Sequence, residues 1–126
     1  MALCKIVAGS GGGGTLTPAI GGMMTTHSSG TGIKPFAYYN IEDASLVSYS
    51  NGKVIINRKG KYVINFYMYQ NVSANQELDI GGVQQTVDTG YSTFTADLNV
   101  NDEIYFNRIS GASQVTIYSM DVALVL

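Results

Sequence analysis

Gly60-Lys61-Tyr62-Val63-Ile64-Asn65-Phe66-Tyr67-Met68-Tyr69-Gln70 is the longest uninterrupted run of strand-forming residues in the chain. Tyr, Val, Ile and Phe fit a pleated surface. Gly60 marks its start, and Asn71-Val72-Ser73-Ala74-Asn75 its end. Side chains along a strand alternate between faces. Tyr62, Ile64, Phe66 and Met68 therefore share one face, which is wholly apolar and must enter a core. Lys61, Val63, Asn65, Tyr67 and Tyr69 share the other. Two Tyr and a Val beside one Lys and one Asn make a face poorly suited to water, and such a patch points to an interface.

Working outward, the same texture repeats on both sides. Phe36 to Ile41, Leu46 to Tyr49 and Val54 to Ile56 read as strands before it. Glu42-Asp43-Ala44-Ser45, Ser50-Asn51-Gly52-Lys53 and Asn57-Arg58-Lys59-Gly60 read as the turns. Asn51-Gly52 is a hairpin signal. Beyond it come Glu77 to Ile80, Val83 to Val87, Tyr91 to Leu98, Glu103 to Ile109 and Gln114 to Leu126. In the last, Tyr118, Met120, Val122, Leu124 and Leu126 alternate on one face. Eight or nine short strands at roughly ten-residue spacing, with no helical apolar period, specify an all-β sandwich or barrel.

Composition narrows the class. With 126 residues, one domain is expected. Charged residues make up only 13%, about half the usual share, which favours a surface covered by partners. A net charge of −2 without a basic patch argues against nucleic acid. No apolar run is long enough for a transmembrane helix, so no membrane insertion is expected. The opening Met1 to Ala8 is too short and too interrupted by Lys5 for a secretory signal, so synthesis in a cytoplasm is expected.

Residues 9–35 read as loop, with the run Gly9-Ser10-Gly11-Gly12-Gly13-Gly14 and the polar tract Thr25 to Gly32. Such a segment buries too little apolar area to offset its ordering entropy. The texture changes at Pro35. Residues 1–35 are therefore expected to be an N-terminal attachment arm, and residues 36–126 the folded domain. Leu3, Ile6, Val7, Leu16, Met23 and Met24 are the arm's candidate apolar contacts with a partner.

Candidate chemistry is sparse. His27 lies in a Ser/Thr/Gly tract that offers no rigidly held base. Cys4 has no second Cys or nearby His, so no metal site is expected there. The glycine run is not a phosphate loop, because no Lys-Ser/Thr follows. Glu42-Asp43 and Asp102-Glu103 are adjacent, and neighbours on a strand point apart, so neither is an acid–base couple by itself. No enzyme activity, cofactor or metal is expected. The tyrosines suit either an interface or stacking on sugar rings.

Three motifs carry a family resemblance. Gly60-Lys61-Tyr62-Val63-Ile64-Asn65-Phe66 resembles the G-x-Y-x-[IF]-x-[FY] strand of the tumour necrosis factor (TNF) and complement-q superfamily. Val54 to Gly60 resembles the short strand and turn leading into it. Leu98-Asn99-Val100-Asn101-Asp102-Glu103-Ile104 is similar to its L-x-x-G-D-x-[VI] motif, with Asn101 at the usual Gly. The resemblance spans residues 36–126. It implies an antiparallel two-sheet jelly roll assembling as a homotrimer, with Val63, Asn65, Tyr67 and Tyr69 at the threefold axis. Trimers of this kind also occur in bacteriophages as fibre heads and decoration proteins. The expected function is thus a structural or adhesive module on a virion surface, joined to the particle through the arm, with a host glycan as a further possible partner. The alternative is an extracellular carbohydrate-binding trimer of a bacterium. On this reading a deletion starting at Phe36 folds and trimerises but no longer attaches, as solubility, solution mass and particle binding would report.

Overall fold

The computed structural model describes residues 15–24, 31–70, 76–108 and 116–126. They form eleven strands: β1 Leu16–Met24, β2 Gly32–Ile33, β3 Tyr38–Ile41, β4 Val47–Ser50, β5 Lys53–Ile56, β6 Gly60–Gln70, β7 Gln76–Ile80, β8 Val83–Thr86, β9 Gly90–Leu98, β10 Glu103–Arg108 and β11 Thr116–Val125. Two antiparallel sheets face each other. The first runs β3-β1-β11-β6-β9 and the second β4-β5-β10-β7-β8, with β2 also paired to β10. No helix occurs among the described residues.

Alternation places the core as expected. Tyr62, Ile64, Phe66 and Met68 of β6 are buried beside Tyr118, Met120, Val122 and Leu124 of β11. Leu78, Ile80, Ile104 and Phe106 face them from the second sheet. Phe66, Phe106 and Tyr118 form an aromatic knot across the sheets, with ring centroids 4.7 to 5.7 Å apart. Tyr118 and Tyr62 carry hydroxyls into this core, and each donates to a backbone carbonyl, of Lys34 and Arg58 respectively. Burying either hydroxyl without such a partner would cost about 1–3 kcal/mol.

The turns follow local chemistry. Asn51 and Gly52 have φ of 54° and 81°, and Gly81 and Gly82 have 60° and 87°, the two left-handed residues of the tight hairpin turn. Asn101 has φ 75°, so the position where the TNF-like motif carries Gly does require left-handed backbone, which Asn tolerates. The Asp102 carboxylate closes this turn by accepting the Asn99 N–H at 2.7 Å.

The N-terminal region departs from expectation. Residues 16–24 do not stand outside the sandwich. They form β1, paired with β11 along one edge and β3 along the other. Gly32 and Ile33 pair with β10. The remaining arm residues, 1–14 and 25–30, lie outside the described residues, and with them Leu3, Cys4, Ile6, Val7 and His27. Two features explain how so unpromising a segment becomes a central strand. Pro18 sits at a bulge beside Ala19, where a missing N–H does no harm. Gly22 leaves a hollow that the Phe36 ring fills: a Cβ there would lie 2.6 Å from ring carbons. That ring stacks on Tyr49 at 4.9 Å and cannot retreat.

The deletion starting at Phe36 is therefore expected to fail to fold, since it strips β11 of one of its two neighbours and β3 of its partner in the sheet; circular dichroism showing a native sheet with cooperative melting would contradict this. Gly22→Ala should cost about 1–3 kcal/mol of overpacking in a denaturant titration. Asn101→Val should cost about 1–2 kcal/mol, because a β-branched residue resists positive φ.

Candidate functional site

The outer face of the first sheet is where the sequence-derived residues converge. Directly paired residues of antiparallel strands share a face, so the register defines rows across it. One row is Tyr38, Met23, Ser119, Tyr67 and Tyr91, from β3 through β1, β11 and β6 to β9. The next is Asn40, Gly21, Asp121, Asn65 and Thr93. Below it Pro18, Ala123, Val63 and Thr95 align, then Leu16, Val125, Lys61 and Asp97.

The four residues expected at a trimer axis differ in what they offer. Val63 is already 7% exposed, closed in between Ala123 and Thr95. Asn65 is half-buried, and its carbonyl oxygen accepts the Thr93 hydroxyl at 2.8 Å. Tyr67 is half-buried and tilts against Tyr91, with centroids 4.6 Å apart. Tyr69 is 41% exposed. Of the arm's expected contacts, Leu16 and Met23 lie half-buried on this same face, whereas Met24 pairs with Tyr118 in β1.

Three contributors were missed from sequence. Tyr91 is 83% exposed and Tyr38 57%, at opposite edges of one row. Asp121 is only 5% exposed although it points outward, and its Oδ2 has no hydrogen-bond partner. Burial pushes its carboxyl from the ordinary 3.8 up to about 7. A signal for it existed. Ser119, Asp121, Ala123 and Val125 form a face of small or apolar residues with one carboxylate, a combination that seldom faces open water or an ordinary core.

Several other acids are spent on structure. Asp43 Oδ1 accepts the Ser45 N–H and hydroxyl at 3.0 and 2.6 Å, which holds its carboxyl below the usual range. Glu42 accepts the Asn40 amide at 2.6 Å. Glu103 pairs with Lys53 at 3.2 Å, a partly exposed contact worth about 0–1 kcal/mol. Among the described residues, no cluster of three or more His, Cys, Asp or Glu is placed to hold a metal.

Asp121 sets a pH dependence. Its folded value lies above its unfolded one, so between about pH 4 and pH 7 the folded chain binds more protons than the unfolded chain. Stability then falls as pH rises through that window and is flat above it. Asp121→Asn should be close to neutral near about pH 4 and stabilising near about pH 8, measured by urea unfolding at both.

No protein-family model matches the chain, and no curated protein does. Among solved structures it is similar to the globular domain of zebrafish complement 1qA protein, with a TM-score of 0.66 over 87% of this chain and 98% of that one, at 11% identity. The chain thus has the two-sheet jelly-roll fold of the complement-q and TNF type.

Proposed function

We propose that this chain is a homotrimeric structural and adhesive module, built on the outer face of its first sheet and displayed on the surface of a larger assembly, in the setting of a bacteriophage virion. The carrying observation is that face itself. Its rows combine Tyr38, Met23, Tyr67 and Tyr91 with a buried, unpaired Asp121, and it carries few charges. Five strands about 4.8 Å apart, four of them nine to eleven residues long and β3 four, with a rise of about 3.3 Å per residue, give a face on the order of 700 Å². That is close to the area one partner presents in a standard interface, about 800 Å².

A chain that is only 13% charged gains little from being a free monomer, and the glycine run at residues 9–14 suits a segment that follows a partner's surface closely. The virion setting draws on the use of such trimers as fibre heads and decoration proteins. A carbohydrate-binding trimer is the second reading. It is favoured by Tyr39, which is exposed and lies 4.6 Å from Tyr49 at the seam between the sheets, the two rings inclined at 47°; an exposed ring of this kind can stack on a sugar. Neither reading gives the chain an enzymatic role.

Tyr67→Asp should convert a trimer to a monomer in light scattering, since each interface would bury an unpaired charge. A variant that stays trimeric would remove this face from the interface. Mass spectrometry of purified phage particles should find the protein at stoichiometric abundance. Its absence from particles, together with specific retention on a glycan array, would move the assignment to the second reading.

A further inference from the structure

Asp121 raises a question that the fold does not answer within one protomer. It sits in the middle of the outer face, 5% exposed, with Oδ2 unsatisfied. The strands packed against it bring no countercharge. β1 contributes Gly21 opposite it, and Leu16, Pro18 and Met23 on the same face, none of which titrates. β6 contributes Asn65 opposite, then Tyr67, Tyr69 and Lys61; Lys61 is opposite Val125, four residues away along the strand, which is about 13 Å. Its own strand, β11, carries no other charged residue. Farther out, β9 brings Asp97 and Tyr91 to this face, and β3 brings Tyr38 and Asn40, with Glu42 just beyond.

This inference rests on the trimer reading above. An axis running along the strands keeps every row at its own height. The row that meets Asp121 from each neighbour is then the row of Asp121 itself, with Asn65 and Thr93, and not that of Lys61. With that axis passing over β6 and β11, assembly surrounds each carboxyl with two copies of the same group while removing the remaining water. Three ionised carboxylates in that position repel one another and lose their hydration together. A neutral acid instead has a proton to donate, and Asn65, whose carbonyl is occupied by Thr93, has an amide group to donate in return.

We propose that the copies meet with Asp121 in its neutral acid form, so that trimer assembly takes up protons and weakens as pH rises above neutrality. The protomer's own burial already moves the group toward this state, and like-charge neighbours move it further the same way. With as many as three protons taken up per trimer, the association constant falls by up to about a thousandfold per pH unit, between the titration of the free protomer and that of the trimer.

Sedimentation velocity at fixed protein concentration, from about pH 5 to about pH 9 in EDTA, tests this. The wild type should be trimeric at the acid end and dissociate toward the alkaline end. Asp121→Asn, which keeps the shape and removes the titration, should be trimeric throughout, and Asp121→Leu should behave likewise if the amide perturbs packing. Circular dichroism on each sample separates dissociation from unfolding. A wild-type trimer that is equally strong at both ends overturns the proposal, as does a folded Asp121→Asn protein with the wild-type profile. A trimer that appears only when calcium or magnesium replaces EDTA, at acid and alkaline pH alike, assigns the axis to a cation and also overturns it. A folded wild type and folded variants that remain monomeric everywhere refute the trimer itself, a separate failure.

Discussion

The pairing of β6 with β11 sets the terms for everything else in this molecule. Both strands are long, both lie in the interior of the first sheet, and both alternate without interruption. One side of the pair holds Tyr62, Ile64, Phe66, Met68, Tyr118, Met120, Val122 and Leu124, and it requires a second sheet over it. Each such aliphatic or aromatic side chain is worth about 1.5–3 kcal/mol when buried. The other side holds residues that are small, aromatic or singly charged, and no strand among the described residues covers it. A strand pair of this kind commits the fold to a sandwich, and its reverse face is the one proposed above to meet other copies.

Much of the sandwich was legible because its strands alternate and its turns carry their own chemistry. The run from Gly60 to Gln70 announces both faces. Asn51-Gly52 and Gly81-Gly82 announce tight hairpins, and their positive φ angles agree. Asn101 looked like a departure from a familial Gly. Its φ of 75° shows that the backbone requirement is retained with the residue type that meets it best after Gly. What was not legible was β1. Thr15 to Met24 contains a proline, three residues from a pair of glycines, and no apolar alternation. Its place in the sheet depends on Phe36, which supplies from 14 positions later the ring that Gly22 lacks. Tertiary context overrides strand propensity here, and no local window contains the information.

The proposed assembly face was half legible for a similar reason. Val63, Asn65, Tyr67 and Tyr69 follow from one strand's alternation. Met23, Tyr38, Tyr91 and Asp121 join them only through register, because they come from four other strands. Register also changes what the residues mean. Val63 is largely consumed within the protomer, while Asp121, unremarkable in a list of acids, becomes, among the described residues, the one buried outward-facing carboxyl with an unsatisfied oxygen. Fold likeness to a complement-q globular domain at 11% identity shows the same framework reached with little sequence in common.

The central claim is that the reverse face of the β6–β11 pair is covered by further copies of the same chain. An experimental structure of the assembled protein in mildly acidic solution tests it most directly. The account predicts a threefold axis along β6 and β11, with the carboxyls of three Asp121 residues facing one another and Tyr67 and Tyr91 buried between protomers. An assembly held together through the second sheet, with Asp121, Tyr67 and Tyr91 open to solvent, would contradict it.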